Sequence, residues 1–232
     1  NGFGDTYAKT RVGVYLGEPG KTVADPYFGG YSPECSEKNL AELRSLVLDS
    51  KADVGLATDG DGDRFGVLGQ DGTFYPADDI VPILVDYAVR ERGVRGGVAR
   101  TVATSHLVDR VAASHGLAVV ETPVGFKYIA DELLRGAAVL GGEESGGFTI
   151  RSHMPEKDGM FACLLVAEML ATRGGTLAEA RSALWSEHGP HYHRRLTFEM
   201  TPEVEDALAQ ALATPPRELE GRAIIDVKRT DG

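Results

Sequence analysis

Hydrophobic positions along the chain fall into two patterns. Short apolar runs bounded by Gly, Asp or Pro read as buried strands, and apolar residues recurring at three and four positions read as helices. Asp53-Val-Gly-Leu-Ala-Thr58 is of the first kind, and Phe65-Gly-Val-Leu-Gly69 is the first arm of a hairpin turning at Gln70-Asp71-Gly72. Ahead of them, Arg11 to Leu16 reads as a strand and Asp25 to Pro33 as loop. Leu40, Leu43, Leu46 and Val47 then predict a helix capped by Ser36. After the hairpin, Asp78 or Asp79 is placed to cap a helix with Ile83, Leu84, Tyr87 and Ala88 on one face. Pro82 falls in its first turn and Gly93 past its end.

Beyond a stretch of Gly and Arg at 93–97, strands are expected over 98–103, 117–122, 137–140 and 148–150. They alternate with helices over 105–114, 126–135, from about Gly159 to Thr172, and onward from Leu177, where Thr176 and Glu179 form a capping box. A strand over 191–200, a helix started by Thr201-Pro202 and a strand over 222–227 complete the pattern. Buried strands alternating with helices imply a parallel sheet covered on both faces. The expected fold is α/β: two consecutive three-layer α/β/α units with mixed, mostly parallel sheets, each with its own core. The expected divisions are 1–95, 96–200 and 201–232.

Composition narrows the function. With 42% hydrophobic and 25% charged residues among 232, the chain is an ordinary globular one, and its net charge of −11 argues against a nucleic-acid partner. That charge does not favour an anionic membrane surface either, and no apolar run is long enough to span a bilayer. Cys35 and Cys163 form no Cys-x-x-Cys and suggest a reducing, cytoplasmic compartment. The opening Asn1-Gly-Phe-Gly lacks Met and the ending follows directly on an apolar run, so both ends are expected to be cut from a longer protein.

Chemistry concentrates in Asp59-Gly60-Asp61-Gly62-Asp63-Arg64. Three carboxylates alternating with glycine can converge from a tight loop, and their mutual repulsion favours a hard divalent cation, Mg²⁺ or Ca²⁺. Arg64 adds a fork-shaped cation that suits a phosphate. A calcium EF-hand would need Gly and Glu where Arg64 and Gln70 stand. The plainer alternative is an acidic surface turn. Gly141-Gly-Glu-Glu-Ser-Gly-Gly147 follows another strand, with Glu143 and Ser145 facing one way and Glu144 another; it reads as a ligand loop or as a glycine-rich turn with a capping Glu. Thr122-Pro-Val-Gly-Phe-Lys127 places Gly125 and Lys127 at a helix N-terminus, where Lys127 either meets an anion or is merely solvated. His153, Glu156, Lys157 and Asp158 precede a long apolar helix, which Asp158 is placed to cap.

Leu56-Ala-Thr-Asp59-Gly-Asp61-Gly-Asp63-Arg64 resembles the metal-binding loop of the α-D-phosphohexomutases, the phosphoglucomutase and phosphomannomutase family. Glu121-Thr-Pro-Val-Gly-Phe-Lys-Tyr128, Gly141 to Gly147 and Pro155-Glu-Lys-Asp-Gly159 resemble further signatures in that family's order, most of all those of the phosphoglucomutase branch. The resemblance implies the middle two domains of a four-domain enzyme, a metal-binding and a sugar-binding one, with the start of the fourth in 201–232. It implies phosphoryl transfer between O1 and O6 of a hexose, glucose 1-phosphate and glucose 6-phosphate first among candidates, through a phosphoserine and glucose 1,6-bisphosphate. Asp59, Asp61 and Asp63 would hold Mg²⁺ together with the phosphoserine. Arg64 and Lys157 would be catalytic, Lys157 by charge stabilisation, since an ordinary lysine is a poor base near neutrality. Glu143, Ser145, Gly125, Lys127 and His153 would bind the sugar phosphate, although some mutases carry Thr where Val124 stands here.

The serine loop of the first domain and the phosphate clamp of the fourth would be missing, so this piece alone is expected to be inactive. Ala103-Thr-Ser-His106 is similar to the family's serine loop, but Leu107-Val108 replace its Asn-Pro and it follows the metal loop instead of preceding it; Ser105 is read as a helix cap. A phosphatase with an Asp nucleophile and a non-catalytic metal- or sugar-binding module are the alternatives. The metal loop and the Glu143 loop are expected to perform separate tasks.

Overall fold

The computed structural model describes residues 12–14, 32–192, 199–219 and 221–223, with backbone alone at 12–14, 219 and 222. The chain divides into two units, 1–191 and 192–232. In the first unit, strands β1 (Val12–Val14), β2 (Val54–Thr58), β3 (Phe65–Gly69) and β4 (Phe74–Tyr75) form a sheet in that order. β1 and β2 run parallel, and β2–β3 and β3–β4 antiparallel. Helix α1 (Ala41–Ser50) covers one face through Leu43 and Val47, which pack with Leu68. It lies almost on bare backbone at Gly55, where a Cβ would stand 2.6 Å from Val47 Cγ2; a Cβ on Gly66 would meet residues ahead of the helix, Cys35 Cβ at 2.7 Å and Leu40 Cδ1 at 3.0 Å.

The second sheet is ordered β6 (Val119–Thr122), β5 (Val98–Thr101), β7 (Leu140–Gly142), β8 (Phe148–Ile150). The first three run parallel and β8 is antiparallel. The loops that follow β5, β6 and β7 therefore leave from one edge, where α/β sheets place ligands. Helix α4 (Phe126–Arg135) covers one face, Ile129 and Leu133 packing on Ala99 and Ala138.

Helices α2 (Ala77–Arg90), α3 (Leu107–Ser114), α5 (Gly159–Arg173) and α6 (Leu177–His188) pack with both sheets around one core. Val54, Leu56 and Val67 of the first sheet join it, as do Val98, Leu140 and Phe148 of the second. The expectation of a separate core in each unit gives way to this shared one, beside smaller clusters under α1 and α4. α2 shows why. Instead of one apolar face, every residue from Ala77 to Val89 is buried, as befits a helix enclosed on all sides. Truncating Leu84, fully buried at its centre, to Ala would cost about 2–5 kcal/mol.

The carboxylates of α2 are paired. Neither Asp78 nor Asp79 caps the helix, which starts after Pro76 without a side-chain cap. Asp78 accepts the Ser105 amide at 2.7 Å, and Asp79 pairs with Arg181 at 3.2 Å. Asp86 accepts from Arg90 Nε at 2.6 Å, His115 Nε2 at 2.8 Å and Arg173 Nη2 at 2.8 Å, tying the ends of α2, α3 and α5 together. Those hydrogen bonds outweigh burial and hold its carboxyl below the ordinary aspartate value.

Local signals elsewhere divide. Asp158 caps α5, Thr176 and Glu179 form the capping box of α6, and Ser105 Oγ accepts the first amide of α3. Ser36 accepts the Asn39 amide, but in a turn that precedes α1 by several residues, and Leu46 is exposed instead of buried. The strand expected over 137–140 is shifted to include Gly141 and Gly142. Cβ atoms there would stand 2.4 Å from Ile129 Cγ2 and 2.5 Å from Val81 Cγ1, so the glycines let helices close on both faces.

In the second unit, helix α7 (Pro202–Ala213) is capped by Thr201, and β9 (Glu218–Leu219) pairs antiparallel with β10 (Arg222–Ala223). Most of the strands expected over 191–200 and 222–227, and of the loop over 25–33, lies outside the described residues.

Candidate functional site

The β2–β3 register pairs Thr58 with Phe65, so residues 59–64 form a closed loop between adjacent strands. Asp59 N–H donates to Arg64 O at 3.3 Å, Arg64 N–H returns to Asp59 Oδ1 at 3.1 Å, and Gly60 N–H donates to Pro33 O at 2.9 Å. Gly62, at φ 77°, takes the left-handed bend that lets the loop close. One carboxylate oxygen each from Asp59, Asp61 and Asp63 then lies within 4.8 Å of the others. Burial foremost, then the charges of Asp63 and Asp61, raise the Asp59 carboxyl above its ordinary value against the Arg64 amide.

Two cations enter this field. Arg64 Nε stands 3.7 Å from Asp59 Oδ2 and 3.9 Å from Asp63 Oδ1, too far to hydrogen-bond either. Lys157 Nζ stands 3.2 Å from Asp63 Oδ2 and 3.4 Å from Glu143 Oε1. Burial works to lower the ammonium's pKa, but Glu143 and Asp63 outweigh it and hold it above the usual lysine value. Lys157 is thus a fixed positive charge, suited to stabilising anions and unsuited to acting as a base.

The Glu143 loop is a turn: Gly146 N–H donates to Glu143 O at 3.1 Å and Glu143 N–H to Gly147 O at 3.0 Å. Glu143 and Ser145 still share a side, with Ser145 Oγ donating to Glu143 Oε1 at 2.6 Å. Glu144 turns the other way and accepts the Thr101 hydroxyl at 2.6 Å and that of Thr104 at 3.4 Å. The loops expected to work separately are sewn together. Phe65 N–H donates to Gly146 O and Gly159 N–H to Gly62 O, both at 3.0 Å, and a Cβ on Gly159 would lie 2.3 Å from Arg64 O.

The remaining candidates stand at varying remove. Gly125, at φ 125°, is the N-cap of α4; the next residue, Phe126, has its ring 6.0 Å from Lys157 Nζ. Lys127 Nζ lies 4.7 Å above the Tyr128 ring. His153 Nε2 pairs with Asp158 Oδ2 at 2.8 Å, and its ring stacks on Phe161 at 4.1 Å, which places it at the start of α5. His106 is a largely exposed partner of Asp109. Residue patterns missed Phe126, Thr101 and Thr104; the spacing of the two threonines on either side of a turn was the one available hint.

The cluster fits a divalent cation on two grounds. Asp63 Oδ1 is buried without a hydrogen-bond partner, a costly state for a carboxylate oxygen unless a cation meets it. Four carboxylates, Asp59, Asp61, Asp63 and Glu143, also face two cations, Arg64 and Lys157, leaving two negative charges unmatched.

The family model for phosphoglucomutase/phosphomannomutase alpha/beta/alpha domain II matches residues 2–72, and that for domain III matches residues 76–188. The chain belongs to the phosphoglucomutase/phosphomannomutase family. A phosphoglucomutase of Rhizobium radiobacter is 33% identical over 211 residues, covering 90% of this chain and 38% of the relative. Phosphoglucomutase-1 of Homo sapiens is 33% identical over 202 residues, with 83% and 36% covered. A solved structure described as a phosphomannomutase, from Thermus thermophilus, aligns with a TM-score of 0.67 at 37% identity, covering 71% of this chain and 38% of that one. A phosphoglucomutase of Paramecium in open form aligns at 0.60 and 31% identity, with 70% and 31% covered. This family member thus spans between 31% and 38% of the length of these relatives.

Proposed function

We propose that this chain supplies the metal-holding and sugar-reading parts of a phosphohexomutase that interconverts hexose 1-phosphate and hexose 6-phosphate, glucose phosphates first, through a phosphoserine and a bisphosphate intermediate. Residues 1–95 form the metal-holding part, 96–200 the sugar-reading part, and 201–232 lead into a further domain. The observation that carries this reading is the Lys157 ammonium between Asp63 and Glu143, which puts a carboxylate cluster and a hydroxyl-binding turn within one side chain's reach. The relatives named phosphoglucomutase support the reaction class. The two free thiols support a reducing compartment, the cytoplasm; burial pushes both to about 12, so neither is a thiolate near neutrality.

Asp59, Asp61 and Asp63 would hold Mg²⁺, which when bound neutralises charge developing on a phosphoryl group. Arg64, 39% exposed beside the cluster, is placed to receive phosphoryl oxygens in its guanidinium fork. Lys157 holds its proton and contributes charge. Glu143 accepts sugar hydroxyls, and Ser145, already hydrogen-bonded to it, fixes the direction of its carboxylate. Gly125, Lys127 and His153 complete the sugar-phosphate surface around them.

Calorimetric titration of the chain with Mg²⁺ tests the metal, and Asp61→Asn is expected to abolish the site; equal binding by the variant would refute it. Turnover of glucose 1-phosphate, measured in a protein of the relatives' length that contains this chain, tests the sugar turn. Glu143→Gln and Ser145→Ala should each lower it about tenfold or more, the loss of a hydrogen bond worth roughly 1.5–3 kcal/mol. A stable phosphoaspartate in the 59–63 loop would favour a phosphatase instead.

A further inference from the structure

We propose that Lys157 couples occupancy of the Asp59–Asp61–Asp63 cluster to the Glu143 turn, by sharing one ammonium between a carboxylate that a cation would claim and a carboxylate that reads sugar. The inference rests on the metal reading of the cluster. Lys157 Nζ lies 3.2 Å from Asp63 Oδ2 and 3.4 Å from Glu143 Oε1, and only 14% of its side chain is exposed. Water is therefore a poor substitute for either partner. Asp63 has its second oxygen, Oδ1, buried without a hydrogen-bond partner and Arg64 Nε no nearer than 3.9 Å, so a cation arriving at Asp63 meets Lys157 as its nearest competitor. The backbone bonds from Gly159 to Gly62 and from Phe65 to Gly146 join the three segments, which leaves side-chain contacts, the ammonium's among them, as what can change.

The consequence is a linkage. When the cation holds Asp63, Lys157 is left to Glu143; when Glu143 loses its charge, Lys157 is left to Asp63 and opposes the cation more strongly. Such coupling is reciprocal, so whatever draws Glu143 away from Lys157 weakens the cation's hold by the same factor.

A double-mutant cycle read by Mg²⁺ calorimetry separates this route from the direct field of Glu143. Glu143→Gln is expected to weaken Mg²⁺ binding at least about fivefold in the otherwise native chain. In the Lys157→Met background the same substitution should change it less than about twofold. Equal weakening in both backgrounds would assign the effect to through-space charge and overturn the coupling, as would no weakening in the native background. Absence of Mg²⁺ binding by the native chain would overturn the metal reading itself. A second measurement needs no variant: the ¹⁵N resonance of the Lys157 ammonium should shift as Mg²⁺ is added, and a resonance that stays in place through saturation would refute the exchange of partners.

Discussion

Replacing Gly159 by alanine is expected to destabilise the first unit. The new Cβ would stand 2.3 Å from Arg64 O, 2.7 Å from Arg64 C and 2.8 Å from Gly62 O. All three are backbone atoms of the carboxylate loop, so no side chain can swing aside. Restoring an ordinary contact of 3.4 Å to Arg64 O needs about 1.1 Å of movement by α5 or by the loop. Overpacking of this kind costs about 1–3 kcal/mol. Loss of the 3.0 Å bond from the residue-159 amide to Gly62 O adds roughly 1 kcal/mol. Alanine's better helix propensity offsets at most about 1 kcal/mol, less at the first position of a helix. The net loss is about 2 kcal/mol, a fall in Tm of about 4–8 °C for a unit of this size. Thermal unfolding by circular dichroism reads it, with Met160→Ala, an exposed neighbour, as the control. Because the core is shared by both sheets, the unit should melt in one transition. A Gly159→Ala variant as stable as the native chain would show that α5 and the loop do not depend on this approach.

Asp86→Asn should cost about 2–3 kcal/mol, below the full penalty for a buried pair because Arg90 and Arg173 keep partial access to water. The folded-state pKa of Asp86 lies below its unfolded value, so its contribution is complete above about pH 4 and is lost as the pH falls further. The gap in Tm between native chain and variant should therefore narrow as the pH falls below about 4, and a constant gap would refute the assignment. Glu144→Ala removes one of two acceptors within reach of the fully buried Thr101 hydroxyl, the other being Thr104 Oγ1 at 2.8 Å, and should lower stability by about 1 kcal/mol, while Glu144→Gln recovers most of it. Equal melting of the two variants would show that Glu144 does not anchor the turn.

Signals that act within a few residues were legible in the chain itself. The caps at Asp158, Thr176 and Thr201 follow from side-chain oxygens meeting amides three residues on, and the sequence alone locates them. The convergence of Asp59, Asp61 and Asp63 is local too, set by glycines between carboxylates in one short loop. Alternating apolar runs determined that strands and helices would build layered α/β structure.

Tertiary structure decided the rest. Nothing within α2 says that it will be buried on every side, since that depends on two sheets and three helices closing around it. Gly141 and Gly142 look like loop residues until α4 and α2 are seen pressing on their Cα atoms from opposite faces. The ammonium of Lys157 reaches Asp63 across 94 positions of chain, and an ion pair at that separation leaves no periodic trace. Sequence patterns record what a residue does to its neighbours along the chain; the joining of the carboxylate loop to the Glu143 turn is made by contacts that exist only once the two sheets share a core.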